Sequence, residues 1–267
     1  MKHSMNLQKY YITEDLFPKI FTDYVEKDYG ILFFNENNKD SYDSNHAVIY
    51  KEKISDFQTV LEDIKKFYKA KGINPIIYQA TADSGFFNEI KKELRNAGYK
   101  SWGEEHRYML PLEENAIREN EEVIVKCVDT WIDDIETVFI EAEEPWEIEV
   151  VKKTLEYDMA RCFIAYYEGN PAGVLYCHIQ DGVIRGDYLL VTPKYRCKGI
   201  GRNIFSKYVV WCNEQDAEAY LWPDGETAER IYYEAGYRYV GTVIAGRAVY
   251  DEKEKNEIPE LKRNTIV

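Results

Sequence analysis

A glycine-containing loop that joins a β-strand to an α-helix constrains the fold of this chain more than any other segment. Residues 196–201 read RCKGIG and follow the β-rich segment 183–191. Pro193 ends that strand because proline has no N–H to donate to a sheet, and the apolar residues from Ile204 to Cys212 recur at helical spacing. The first N–H groups of a helix lack partners within it, and the helix dipole adds partial positive charge there. This order of elements therefore predicts a phosphate-binding site.

The charge of the loop contrasts with that of the whole chain. The sequence carries 48 acidic and 34 basic side chains, a formal net charge of −14, yet Lys194, Arg196, Lys198 and Arg202 place four cations within nine residues. Binding of nucleic acid or of an anionic membrane depends on clustered Lys and Arg, so the acidic balance argues against both partners. Without the glycines, the four cations would be interpreted as a solvated surface cluster. Glycines let a phosphate approach the backbone closely, which favours a local anion site.

Length, hydropathy and cysteine content limit the class of protein. With 45% hydrophobic and 15% aromatic residues, the 267-residue chain can form one large core or two ordinary ones. It has no run of about 18 apolar residues, so we expect a soluble protein without a membrane span or signal peptide. The five cysteines include no C-x-x-C pair, which argues against a disulfide framework or a zinc site. We expect reduced thiols, a cytoplasmic location and no bound metal.

The C-terminal half predicts an α+β domain with a mixed, mostly antiparallel sheet flanked by helices. One or two acidic helices are expected within 131–157, before the sheet begins. Short turns with glycine separate the strands that follow. In chain order, the later segments are strands at 162–167, 172–179 and 183–191, a helix over 204–212, a strand at 219–222, a helix closing on Gly236 and a strand at 237–250.

The sequence of the N-terminal half predicts, with weaker signals, the same order of elements as the end of the C-terminal half. A helix is expected at 57–68, a strand at 75–79, and a helix over 86–94 that closes on Gly98, as the later helix closes on Gly236. Two interpretations stay open. One is a structural duplication whose first copy lacks the glycine loop. The other is two unrelated units that share a common kind of helix C-cap.

A polar and acidic segment separates the two halves. Residues 111–122 have the composition of a linker. We therefore expect two tandem α+β domains, at 1–115 and 122–250, followed by a charged tail at 251–267.

The glycine loop resembles one of three known kinds of phosphate-binding loop. A Rossmann fingerprint needs a third glycine where Ile204 stands, and a Walker A loop needs a G-K-[ST] ending that is absent. Residues 191–201 instead read VTPKYRCKGIG. This segment resembles the acyl-coenzyme A signature of the GCN5-related N-acetyltransferases, which is [RQ]-x-x-G-x-[GA] after a strand ending in V-x-P-x-[YF].

A second signature of that family follows in the expected order. Ala228, the pair Ile231-Tyr232 and the pair Gly236-Tyr237 match an alanine, a hydrophobic-Tyr pair and a Gly-aromatic pair at the family's offsets. The family commonly has an asparagine three residues before the alanine, where this chain has Gly225. That departure removes one contact to the cofactor arm. The resemblance covers residues 122–250, and the N-terminal half looks like a degenerate domain of the same kind.

The resemblance implies an acetyl-CoA-dependent N-acetyltransferase, in which a primary amine attacks the thioester directly. Acetyl-CoA would act as co-substrate, with a backbone N–H near Val191 as the oxyanion donor. Tyr232 matches the tyrosine that protonates the leaving thiolate in many members of the family, although its spacing alone would indicate a buried helix residue. The residues implied to bind the cofactor are Leu189, Leu190, Val191, Arg196, Cys197, Lys198, Gly199, Ile200, Gly201 and Arg202.

The general base and the acceptor site are less defined. Asp187 shares a strand face with Arg185 and Val191 by the period of two, so it is a candidate base, or else an exposed or salt-bridged carboxylate. Some family members have a glutamate at the position of Arg185, which cannot act as a base. Glutamates crowd the segment before the first hairpin, either as a solvated helix face or as a site that attracts a cationic amine. The candidates for the acceptor site are Glu143, Glu144 and Glu147.

A non-catalytic alternative remains open. The chain would then bind acyl-CoA as a sensor or use the fold as an interaction module. The sequence leaves the acceptor amine, a small molecule or a peptide, and the oligomeric state undetermined.

Overall fold

A computed structural model describes residues 6–251 as two mixed β-sheets with helices packed on them. We call α1 to β5 the N-terminal half and β6 to β11 the C-terminal half. The N-terminal half consists of α1 (Gln8–Leu16), β1 (Asp23–Lys27), β2 (Gly30–Phe34), β3 (Ala47–Ile49), α2 (Phe57–Ala70), β4 (Ile76–Gln79), α3 (Phe86–Glu89), α4 (Lys91–Asn96) and β5 (Tyr99–Pro111). The C-terminal half consists of β6 (Val123–Val128), α5 (Asp133–Glu141), α6 (Glu147–Thr154), β7 (Ala160–Tyr167), β8 (Asn170–Gln180), β9 (Val183–Val191), α7 (Ile200–Asn213), β10 (Glu218–Tyr220), α8 (Glu226–Glu234) and β11 (Tyr237–Tyr250).

Both sheets are mostly antiparallel, which confirms the predicted α+β class. The first has the strand order β1-β2-β3-β4-β11-β5 and the second has the order β10-β9-β8-β7-β6. Each contains one parallel pair, β3 with β4 and β9 with β10. The sequence did not predict α1, the first three strands or β6, and the helix expected over 86–94 is two short helices that meet at Ile90.

The two halves share one order of helices and strands. In each half a 14-residue helix, α2 or α7, connects the two strands of the parallel pair. A short helix then ends at Gly98 or Gly236, with φ values of 87° and 88°, and the last strand of the half follows directly. The left-handed conformation at both glycines is the usual C-cap, because a side chain is unfavourable there.

The last strands of the halves pair with each other. β11 runs antiparallel to β5 along its whole length, from Tyr237 opposite Pro111 to Tyr250 opposite Tyr99. The end of β11 also pairs with β4, so a strand that the sequence assigned to the second domain lies in the first sheet. At the other end of β5, Met109 forms a bridge to the residue after β10. The domain boundaries at 115 and 122 therefore stay a prediction.

The segment between the halves is packed against α7. The buried side chain of Asn203 binds the backbone of Asn120 through both of its polar atoms, at 2.9 and 2.8 Å. Asn120 in turn donates its amide to the carbonyl of Lys198, at 2.9 Å. These contacts fix the start of α7. Of the predicted charged tail, residues 252–267 lie outside the described residues, and within residues 6–251 no helix has the length and hydropathy needed to span a membrane.

Candidate active site

Strand β9 contains a β-bulge close to the glycine loop. Tyr188 and Leu189 lie opposite a single residue of β8, and Tyr188 has a φ of 47°, in the left-handed region. The extra residue shifts the alternation of side chains along the strand. The predicted common face of Asp187 and Val191 is therefore wrong: Val191 packs towards α7, whereas Asp187 lies beside Tyr176 on the side of α5 and α6.

β9 and β10 separate next to this bulge. Their pairing begins with Val183 and Glu218 and ends with Arg185 and Tyr220. From that point a cavity of about 720 Å³, which we call the central cavity, opens between the strands and extends to the N-terminal half. Its walls in the C-terminal half include Leu189, Leu190, Leu221, Trp222, Ala228 and Tyr232.

The glycine loop holds an uncapped helix start at the end of β9. A 3₁₀ turn at Pro193–Tyr195 follows the strand, and Cys197 and Gly199 adopt left-handed φ values of 63° and 79°. No side chain within residues 6–251 caps the first turn of α7. A Cβ at Gly199 would lie 3.4 Å from Asn120, and otherwise the residue borders open space. An uncapped, glycine-lined helix N-terminus fits the pyrophosphate of coenzyme A.

The cations of the loop differ in their contacts. Arg202 makes two bonds to Glu234, at 2.5 and 2.9 Å, so its guanidinium is already paired. Arg196 donates to the Val191 carbonyl at 3.3 Å and is exposed, as are Cys197 and Lys198. Ile200 is buried in the core, whereas Gly201 is half-buried.

Tyr232 lies in the wall of the central cavity. Its side chain is 8% exposed, and its ring centroid lies 4.6 Å from that of Phe205. Burial raises the pKa of the Tyr232 hydroxyl well above its usual value, and the negative charges of Asp187 and Asp224 raise it further. The hydroxyl is therefore protonated at neutral pH, the state that a general acid requires.

Asp187 belongs to a buried ion-pair network. It accepts a hydrogen bond from Arg185, whose Nε donates to Glu14 Oε1 at 3.1 Å. Tyr220 also donates to Glu14, at 2.6 Å, and the Arg185 guanidinium lies 3.7 Å from the ring centroid of Phe17. Of the two interpretations of Asp187, the salt-bridged carboxylate is the one that the geometry favours. Glu14 was not identified from the sequence.

The three acidic acceptor candidates lie in different environments. Glu147 is 1% exposed and accepts a hydrogen bond from Tyr176 at 2.7 Å. Burial raises the pKa of Glu147 well above its usual value, and the charge of Asp43 raises it further. Glu144 also lines the central cavity, and burial raises its pKa. Glu143 is exposed, has a φ of 65° and does not line the cavity.

The far wall of the central cavity comes from the N-terminal half and from β11. These residues carry no local motif, because they become neighbours only through tertiary packing. They include Glu14, Asp15, Asp43, Tyr78, His106 and Arg247.

Carboxyl groups greatly outnumber cations around the central cavity. Eight of its lining residues are acidic, while Arg185 and Arg247 are the arginines among them. Burial raises the pKa of Asp15 to about 7, although Thr81 donates two hydrogen bonds to it, at 2.9 and 2.8 Å. Within residues 6–251, no group of His, Cys, Asp and Glu side chains is arranged to hold a metal ion.

Comparisons with known proteins identify the fold and the family. The Acetyltransferase (GNAT) family matches residues 87–237, more than half of the chain. No curated protein matches the sequence.

Two solved structures are similar over both halves. A GCN5-related N-acetyltransferase from Kribbella flavida has a TM-score of 0.69 at 15% identity, covering 91% of this chain and 94% of its own. A functionally unknown conserved protein from Staphylococcus epidermidis has a TM-score of 0.64 at 18% identity, covering 92% and 97%. Together with the bulged strand β9 and the motifs on the glycine loop and α8, the family match leads to one conclusion: the chain belongs to the Acetyltransferase (GNAT) family.

Proposed function

We propose that this protein is an acetyl-CoA-dependent N-acetyltransferase that acetylates a primary amine by direct attack. The observation that carries the proposal is the central cavity, which opens where β9 bulges and leaves β10. Tyr232 lines this cavity, and the uncapped start of α7 lies at the end of the same strand. We therefore assign the pyrophosphate to the start of α7 and the thioester to the central cavity, beside Tyr232.

The contacts of the chain support the proposed cofactor site. Gly199, Ile200 and Gly201 present the first N–H groups of α7 to the pyrophosphate, and Arg196 and Lys198 are exposed beside them. Arg202, paired with Glu234, contributes less than the sequence implied. The backbone of Leu189, Leu190 and Val191 has no partner in β10, so it can bond the pantetheine arm. When bound, acetyl-CoA supplies the thioester whose acetyl group is transferred.

The proposed catalytic roles follow from the protonation states of the residues. Tyr232 donates its proton to the departing sulfur, and a backbone N–H near Val191 stabilises charge on the carbonyl oxygen. The Asp187 carboxylate is already bonded to Arg185, so it is less available to the reacting amine than the sequence suggested. Glu147, whose raised pKa favours proton uptake, is a better candidate for the base. The predicted cytoplasmic location stays a prediction.

Two measurements on the purified chain test the proposal. Coenzyme A and acetyl-CoA at about 100 times their Kd should each raise the Tm by about 5–10 °C, the shift that ligand linkage predicts for a chain of this size. Thiol release from acetyl-CoA should then depend on an added primary amine. Binding without thiol release for any amine would favour the acyl-CoA sensor, and the absence of binding would refute the cofactor site.

A further inference from the structure

We propose that the N-terminal half completes the acceptor site and that the acceptor carries at least two amino groups. One amine is acetylated after it loses a proton to Glu147, while a second, still protonated, is held by Asp43. The inference rests on the proposed function and specifies the substrate class of the same site. It is carried by the charge balance, the unpaired polar atoms and the entrance of the central cavity.

Asp43 faces the cavity without a partner. It is half-buried, and the structure gives its carboxylate no hydrogen bond or ion pair with any residue of the described range 6–251. Burial and the charge of Asp187 raise the pKa of Asp43 to about 6, although Arg185 and Arg247 act in the opposite direction. A carboxylate that faces the cavity and has no partner within residues 6–251 is available to bind a cationic group from outside the chain.

The nearby arginines do not neutralise this group of carboxylates. Arg185 is already bonded to Glu14 and Asp187, and Arg247 lies 3.5 Å from a carboxylate oxygen of Glu104. Neither arginine forms an ion pair with Asp43 or Glu147, and the charge of Asp43 opposes ionisation of Glu147. A bound ammonium would supply the missing positive charge and lower both pKa values.

A second kind of observation also indicates a polar ligand. His106 is 8% exposed and lines the cavity, and its ring is stacked on Trp222 at a centroid distance of 3.8 Å. Its Nε2 atom is buried without a hydrogen bond and lies 3.6 Å from Glu104 Oε2. Burial lowers the pKa of His106, so the ring is neutral, and its Nε2 is an unsatisfied polar atom of a residue that lines the cavity.

The entrance of the cavity is suited to a cation. Tyr42 and Trp146 line it from opposite halves and are 45% and 43% exposed. The loop that carries Tyr42 is joined to the residue before α6 by a hydrogen bond of 3.0 Å from Asn38 to the Trp146 carbonyl. Exposed aromatic faces beside carboxylates attract ammonium groups through cation–π contacts.

The chemistry of the transfer explains why one amino group is not enough. The reacting amine must be neutral, because its lone pair forms the C–N bond to the carbonyl carbon as the C–S bond breaks. The nitrogen loses a proton to a carboxylate and the sulfur gains one from Tyr232, so the products are an amide and free coenzyme A thiol. A monoamine therefore has no positive charge when it reacts, so it cannot form an ion pair with the carboxylates of the cavity. A diamine keeps one positive charge on its second amino group throughout the reaction.

The test compares cadaverine with pentylamine and with the amino alcohol of the same length. We expect kcat/KM for cadaverine to exceed both by about 10- to 100-fold, the scale of one hydrogen bond to a charged group. Asp43→Asn should remove most of that advantage and weaken cadaverine binding, measured by calorimetry in the presence of coenzyme A, by about 10-fold or more. Asp181→Asn makes the same chemical change in an exposed turn outside the cavity and should change neither value.

The outcomes separate this inference from the proposed function. Thiol release that is as fast with pentylamine as with cadaverine would overturn the inference and leave the proposed function standing. Cadaverine binding that depends on Asp43, without thiol release for any amine, would support the acceptor site and refute the transferase. No cadaverine binding, or equal binding by the Asp43→Asn variant, would overturn the inference directly.

Discussion

The two 14-residue helices α2 and α7 connect equivalent strands but begin in opposite ways. In α2 the N-cap is Asp56, whose carboxylate accepts hydrogen bonds from the backbone N–H groups of Gln58 and Thr59, at 3.1 and 3.4 Å. In α7 the N-cap is Gly199, and no side chain caps the first turn. One helix start is filled by an anion of the chain itself. The other is open to an anion from outside.

A second difference accompanies the first. Leu94 stands four residues before Gly98, where Tyr232 stands four residues before Gly236. Leu94 is fully buried in the core of the N-terminal half, whereas Tyr232 borders the central cavity. The N-terminal half thus has neither the open helix start nor the tyrosine. It instead contributes a wall of the central cavity, and the proposed functions of the halves are complementary.

The largest expected effect comes from placing a carboxylate at the N-cap of α7, where α2 has the carboxylate of Asp56. Gly199→Asp should weaken coenzyme A binding by about 100-fold or more, since a carboxylate at the helix start repels the pyrophosphate. Calorimetry with coenzyme A measures this loss. The protein has room for the side chain, because a Cβ at this glycine meets only Asn120 at 3.4 Å.

Gly199→Asn is the matched control for that variant. Asparagine has the same size as aspartate and tolerates a left-handed φ similarly, so it separates charge from shape. We expect a clearly smaller loss of affinity. Equal losses in the two variants would show that size alone excludes the cofactor, and unchanged binding in both would refute the assigned position of the pyrophosphate.

The next effect tests the difference between Leu94 and Tyr232. Tyr232→Phe should lower kcat by about 100-fold with coenzyme A affinity nearly unchanged, because only the proton donor is lost. Tyr233→Phe is the control, as Tyr233 is 36% exposed and does not line the cavity. Steady-state thiol release measures both variants. Full activity in Tyr232→Phe would remove this hydroxyl from the mechanism.

The elements of the C-terminal half were predictable because local signals define them. A turn with Gly182 sets the start of β9, Pro193 sets its end and Gly236 sets the start of β11, so both strands have the bounds that the sequence predicted. The bulge was not predictable, since a tyrosine in place of glycine adopts the left-handed φ in β9. For that reason the predicted face of Asp187 relative to Val191 was wrong.

The N-terminal wall of the site was beyond the reach of sequence patterns. Helix α1 has only weak amphipathic character, because its buried residues include Thr13 and Asp15. Glu14 binds Arg185 across 171 positions of the chain, and no spacing rule connects them. The carboxylate of Asp43 is unusual only because of its surroundings, which form when the halves pack together. Motifs therefore indicated the proposed cofactor site, whereas the proposed acceptor site required the structure.

A smaller effect tests the acidic wall through the stability of the chain. The pKa of Asp43 is raised in the folded state, so the folded protein binds more protons than the unfolded chain between the ordinary carboxyl pKa and about 6. Above pH 6, Asp43 is ionised and lowers the free energy of unfolding by its full amount. This loss of stability disappears as the pH falls towards 4. Asp43→Asn should be more stable by on the order of 2 kcal/mol at pH 7, with the difference vanishing near pH 4.

Urea unfolding of both chains across this pH range measures the difference. The groups whose charges act on Asp43 are Asp187, Glu14, Arg185 and Arg247, and they are the same in both proteins. A variant that is less stable at pH 7 would mean that Asp43 has a structural partner in the chain.

The smallest expected effect comes from removing the cap of α2. Asp56→Ala should lower the Tm by about 2–4 °C, the scale of a lost N-cap in a chain of this size. Coenzyme A affinity should not change, because opening this helix start does not supply the glycines or the tyrosine of the C-terminal half. Asp56→Asn keeps a capping side chain and should retain most of the stability. If Asp56→Ala bound a second molecule of coenzyme A, the N-cap would be the feature that prevents binding at the start of α2. The difference between Leu94 and Tyr232 would then affect catalysis and not coenzyme A binding.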